Sequence, residues 1–167
     1  VISVEFATAF SALGCKVTIL EAMPRLVPNM DKEISQSLKM LLKKRGIDVH
    51  TSAGVQSVEE RDGAYVCKYT EKEKECEASA QYVLCAVGRI PNTEGLFAED
   101  AVPEMERGRI VVDEHFKTSN QAVYAIGDLI KGMQLAHTAS AQGVVVIEYL
   151  NGKDPSIDLS VVPGCVY

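Results

Sequence analysis

Lys16-Val17-Thr18-Ile19-Leu20-Glu21 lies between two helical patterns, and it narrows the folds open to this chain. The run is short, mostly apolar, rich in β-branched residues and closed by an acid. That reads as a buried parallel strand. The helical pattern before it starts at Val1-Ile2-Ser3-Val4-Glu5-Phe6-Ala7 and stops at Gly14, a residue suited to the left-handed position after a helix. After it, Pro24 and Pro28 punctuate a loop and Asp31 stands where a second helix needs a cap. Ile34, Leu38, Leu41 and Leu42 recur at helical spacing, Lys43-Lys44-Arg45 place positive charge in the last turn, and Gly46 ends it. Ile47 to His50 reads as a short strand. Helix, strand, helix, strand in this order implies parallel pairing with crossovers.

Further along, Val55 to Glu60 and Ala64 to Tyr69 flank Arg61-Asp62-Gly63, a hairpin signal. A second turn, Glu71 to Lys74, leads to a third strand near Cys76, giving a three-stranded meander. Tyr82-Val83-Leu84-Cys85-Ala86-Val87 reads as another buried strand, closed by Gly88. Arg89-Ile90-Pro91-Asn92-Thr93 is extended, because Pro91 biases Ile90 away from the helical region. Residues 94 to 108 are loop-like and acidic. Strands are expected at Arg109 to Asp113 and over Ala122 to Gly127, where the run ends in Gly127-Asp128. A helix follows from Ala136 to Leu150, ended by Asn151-Gly152, and Val161 to Tyr167 resembles the start of a strand. The fold expected is α/β: a Rossmann-like parallel sheet with a three-stranded meander, its first strand expected upstream of Val1, followed by part of a second domain.

Net charge is −6, which argues against nucleic acid or an anionic membrane surface as partner. No apolar run is long enough to span a bilayer. The five cysteines, at 15, 67, 76, 85 and 165, show neither Cys-x2-Cys nor Cys-x4-Cys spacing. No metal site is expected from them. Cys15, Cys67 and Cys85 lie in apolar or strand-like contexts, and buried reduced thiols in a cytoplasmic protein are expected.

Two places suit a nucleotide. Ser3 and Glu21 are separated by nearly the distance from a dinucleotide-binding glycine turn to the acid that binds the adenosine ribose. With Ser3 at the last glycine position, the amides near Val1 and Ile2 face a pyrophosphate and Glu21 accepts from the ribose hydroxyls. A carboxylate there repels a 2′-phosphate, favouring NAD over NADP. On residues alone, Glu21 as a solvated strand end and Ser3 as a helix surface residue fit equally well. The second place is Asp128, at a strand end ahead of the helix opened by Gln134-Leu135-Ala136-His137.

Val1-Ile2-Ser3-Val4-Glu5, Glu21, Gly88-Arg89-x-Pro91-Asn92 and Thr118-Ser119 through Asp128 stand in the order found in the pyridine nucleotide-disulfide oxidoreductases. The chain resembles an internal part of that family over essentially its whole length. Glu21 to Asp31 and Lys43 to Ile47 are most similar to the members that oxidise dihydrolipoamide. The resemblance implies an NAD-binding domain at 1–88, the C-terminal segment of an FAD-binding domain at 89–160, and the start of an interface domain at 161–167. It implies NAD and FAD as cofactors. It puts Val4 with the helix-start amides, Glu5 near the nicotinamide carboxamide, Val55 near the adenine and Gly88 on the nicotinamide side. It also implies Asp128 on the ribityl chain, with Gln134, Leu135, Ala136 and His137 at the flavin through their backbone. A small-molecule or lipoyl substrate and a homodimer are implied as partners. NADH oxidase and mercuric reductase are the related alternatives, as is a nucleotide-binding fragment without turnover. The redox cysteine pair and the catalytic histidine of the family are expected outside this chain. Ser3 departs from the glycine expected at its position.

Overall fold

The computed structural model describes all 167 residues, which fall into two compact units. One comprises Val1–Val87 with Cys165–Tyr167, the other Gly88–Gly164.

In the first unit, helix α1 (Ile2–Ala12) ends where Gly14 takes φ +89, and strand β1 (Thr18–Glu21) follows. Helix α2 (Lys32–Lys44) is capped by Asp31, whose Oδ1 accepts from the Glu33 amide at 2.7 Å. Strand β2 (Asp48–Thr51) then pairs parallel with β1, in a register running from Thr18↔Asp48 to Glu21↔Thr51. The core beneath is Val4 and Ala7 of α1, Ile19, Leu26, Val27, Leu42, Ile47 and Val49. Helix α2 meets it through Ser35, Leu38 and Leu42, whereas Ile34 and Leu41 are exposed. The apolar spacing located the helix, and the core covers only part of that stripe. Ser35 lies inward because its hydroxyl donates to the Leu26 carbonyl at 2.7 Å, tying the loop to α2.

Strands β3 (Ala53–Arg61), β4 (Ala64–Glu71) and β5 (Lys74–Ala80) form the antiparallel meander, with a register shift between Val55 and Ser57. Asp62 and Gly63 both have positive φ, the geometry of a two-residue hairpin turn that matches strand twist.

The expected strand at Tyr82–Val87 is absent. The segment pairs with no strand, and Tyr82 is 88% and Val87 94% exposed. β propensity expresses fit to a pleated, half-buried surface, and no strand lies alongside to provide one. Two of the cysteine expectations fail likewise: Cys15 and Cys85 are exposed. Cys67 is buried on β4, and desolvation raises its thiol pKa.

The second unit is mostly irregular. Strand β6 (Met105–Glu106), inside the segment read as loop, pairs with β7 (Arg109–Ile110) in a small hairpin. The Arg109–Asp113 strand shrinks to β7 and two isolated bridges, Ile110↔Ile130 and Val112↔Thr118. Ala122–Gly127 is likewise no strand; one bridge joins Lys117 to Tyr124, and the Ala125 amide donates to Phe116 at 3.0 Å. Ala125 is buried with Ile110 and Ile130, so the apolar pattern signalled burial without a ladder. Gly127–Leu129 form one 3-10 turn, and helix α3 spans Ala136–Leu150. Val161–Tyr167 forms no strand, although Val166 packs on the first unit's core.

Candidate cofactor sites

Helix α1 begins with no side-chain cap on its N-terminal amides. Val1 stands at the cap position, and its carbonyl accepts from Val4 at 2.9 Å and Glu5 at 3.2 Å. Ile2 and Ser3 form the first turn, Ser3 half-buried and Val4 buried. Helix α1 packs against β1, whose last residue is Glu21. Uncapped amides, the positive end of the helix dipole and a carboxylate at a strand tip form a donor and acceptor set suited to a nucleotide. Glu21 is half-buried; its Oε1 accepts from the Met23 amide at 2.7 Å, holding the carboxylate in place.

The other residues expected at this site are more scattered. Glu5 is half-buried, with its Oε1 accepting from the Tyr167 amide at 3.2 Å. Val55 lies on β3, half exposed, opposite Tyr69. Gly88 has φ +135 with open space around it.

In the second unit the structure does bring the expected residues together. The Gly127–Leu129 turn packs on the first turns of α3. The Gly127 amide donates to the buried Gln142 Oε1 at 2.7 Å, and a Cβ built on Gly127 would lie 3.0 Å from Ala139 Cβ. Asp128 is thereby held beside the start of α3. Leu135 is that helix's cap residue and provides no side-chain bond, so the amides of Ala136 and His137 are open. His137 turns its ring away, its Nε2 donating to the Pro163 carbonyl at 2.9 Å. It is thus present as backbone at the helix start.

Two buried polar atoms in this region have no partner: Gln134 Nε2 and Thr138 Oγ1. Such atoms are costly unless something satisfies them. Together with the open amides and the Asp128 carboxylate, they fit an oxygen-rich polar group such as the ribityl and pyrimidine part of a flavin. Sequence reasoning missed Thr138 and Gln142, which lie one and two turns into α3 on its inner side. It also missed Arg89, whose Nε lies 3.4 Å from Asp128 Oδ2. The Arg109 guanidinium donates to the carbonyl of Ile130 at 2.9 Å, fixing the far side of the turn.

A third cluster had no forecast. His50 on β2 sits between Glu71 Oε2, 2.8 Å from Nδ1, and Asp48 Oδ2, 3.1 Å from Nε2. Asp48 and His50 are two apart on one strand and so share a face, which was a legible signal. Glu71 comes from the far end of the hairpin, and no local pattern indicates it. No group of side chains in the protein is arranged to hold a metal ion.

An uncapped helix start beside a strand-end acid is the arrangement of Rossmann-type dinucleotide-binding proteins. The chain belongs to the pyridine nucleotide-disulphide oxidoreductase family, whose profile matches residues 1–143. Members of this class use FAD and a pyridine nucleotide as redox cofactors. The chain is 36% identical over 167 residues to a dihydrolipoyl dehydrogenase of Bacillus subtilis, covering 100% of this chain and 36% of that protein. Among solved structures, the HOCl-induced flavoprotein disulfide reductase RclA of Escherichia coli superposes with a TM-score of 0.80 at 30% identity, covering 92% of this chain and 35% of that one. An FAD-dependent pyridine nucleotide-disulphide oxidoreductase from Desulfovibrio vulgaris gives a TM-score of 0.73 at 27% identity, with 92% and 41% covered. The chain thus spans little more than a third of the length of the curated relatives it matches. No helix is long and apolar enough to cross a membrane.

Proposed function

We propose that this chain forms the pyridine-nucleotide and ribityl-side parts of an NAD-dependent flavoprotein that oxidises dihydrolipoamide. In the overall reaction the two thiols of dihydrolipoamide become a disulfide, NAD⁺ becomes NADH and one proton is released. The observation that carries the cofactor reading is the Asp128 turn locked on the open start of α3, with Gln134 Nε2 and Thr138 Oγ1 unpartnered beside it. The substrate reading leans on the 36% identity to dihydrolipoyl dehydrogenases along the whole chain.

FAD, when bound, supplies a carrier between the thiols and the nicotinamide. The chain's own residues orient and stabilise. Asp128 accepts from ribityl hydroxyls, each a charge-assisted bond. The amides of Ala136 and His137 donate to the pyrimidine edge and favour negative charge there, whereas the Leu135 amide, expected to join them, already donates to the Met133 carbonyl at 3.1 Å. Glu21 accepts from the adenosine ribose of NAD, and the amides opening α1 at Ile2 and Ser3 face its pyrophosphate. No residue of this chain is assigned as redox cysteine or acid–base histidine. Homodimerisation and a cytoplasmic setting complete the proposal.

The test is the protein as its gene encodes it. It should purify with flavin absorbance, bleach on adding NADH, and reduce NAD⁺ with dihydrolipoamide as donor. A colourless protein that takes up no FAD would refute the cofactor assignment. A flavoprotein bleached by NADH but inert to dihydrolipoamide would instead favour another NADH-dependent flavoprotein; the likeness to RclA, a flavoprotein disulfide reductase, is in keeping with a different substrate.

A further inference from the structure

We propose that His50 is a proton-operated clasp: protonated, it holds Asp48 and Glu71 together, and deprotonated, it releases one of them and loosens the meander from the parallel pair. Both ring nitrogens lie within hydrogen-bond distance of a carboxylate oxygen, 2.8 Å to Glu71 and 3.1 Å to Asp48. A neutral imidazole has one N–H, so one of those contacts would then set a lone pair against a carboxylate. Only the imidazolium satisfies both.

The place of the cluster gives it leverage. His50 and Asp48 belong to β2, whereas Glu71 ends β4. The backbone link between β2 and the meander is the single residue Ser52, at φ +55. Ala53 pairs with Glu71 at the root of the hairpin, and Thr51 pairs with Glu21. The clasp therefore sits one residue from the strand tip that carries Glu21. The titratable groups around it are Asp48 on its own strand, Glu71 and Tyr69 on β4, and Cys76 on β5 opposite Tyr69. From α2 comes Lys39, whose Nζ donates to Thr51 Oγ1 at 2.8 Å. The Glu71 hydrogen bond raises the His50 pKa above the ordinary 6.5, against partial desolvation, and Asp48 adds in the same direction. With a folded-state pKa above the unfolded one, the stabilisation is full below the unfolded value and disappears as pH rises through the folded one.

The clasp lies next to the proposed Glu21 site and can be tested with no nucleotide present. Imidazole resonances of His50, followed by NMR in the intact protein, should titrate above 6.5 and shift down in Glu71→Gln. If that variant does not fold, Asp48→Asn should lower the midpoint in the same way. Amide exchange at Ala53 and Glu71, corrected for intrinsic rates, should rise several-fold from pH 5.5 to 8.5 in the wild type and stay flat in His50→Gln. A midpoint at or below 6.5, or exchange that ignores pH, would overturn the clasp. Failure of NADH to bind would leave these readouts untouched.

Discussion

At Gly127 the backbone has φ +69, and a Cβ there would crowd Ala139 at 3.0 Å. Any L side chain at this position meets both a left-handed conformation and the backbone-proximal face of α3. Gly127→Ala should therefore cost about 1–2 kcal/mol in the turn from the backbone alone. Because Asp128 follows directly, the same variant should lose flavin, measured by the absorbance ratio of the purified protein. A Gly127→Ala protein with wild-type stability and flavin content would mean that the turn does not position Asp128. The Gly127-Asp128 pair was legible in sequence as a place of constraint. Its partners Gln142 and Arg89 were not, because they are 15 and 39 positions away and no local period connects them.

At the scale of elements, the helices were the most legible part of the chain. Asp31, the basic last turn of α2 and Gly46 all mark local chemistry, and the structure puts a cap, a helix and a left-handed exit there. Asp31→Ala removes the bond to the Glu33 amide and should destabilise the protein by about 1 kcal/mol in urea unfolding. No change would show that α2 is held by its packing alone. The meander was legible for the same reason, since its turns carry their own signals. The strands at Tyr82–Val87 and Ala122–Gly127 were misread because a strand is defined by its neighbour. Apolar β-branched residues report a tendency to bury, and they buried Ala125 without a ladder while leaving Tyr82 and Val87 in solvent. Ile34 and Leu41 stay exposed for a related reason: helical spacing fixes a stripe, but what the stripe meets depends on distant residues.

At the scale of the whole molecule, each unit has a helix that starts without a side-chain cap, α1 in the first and α3 in the second, and Asp128 lies in the turn packed on α3. The family assignment follows from the profile match over residues 1–143 and the similarity along the whole chain, not from Glu21 or Asp128 alone. In the proposed nucleotide site, Glu21 holds the ribose of NAD while the opening turn of α1 faces the phosphates. The most direct test is titration of the protein, as its gene encodes it, with NADH and NADPH, wild type against Glu21→Ala. Losing hydrogen bonds to a charged acceptor should weaken NADH by about 1.5–3 kcal/mol, roughly tenfold to a hundredfold, and narrow the preference over NADPH. Unchanged NADH affinity and an unchanged NADH-to-NADPH ratio in Glu21→Ala would contradict it.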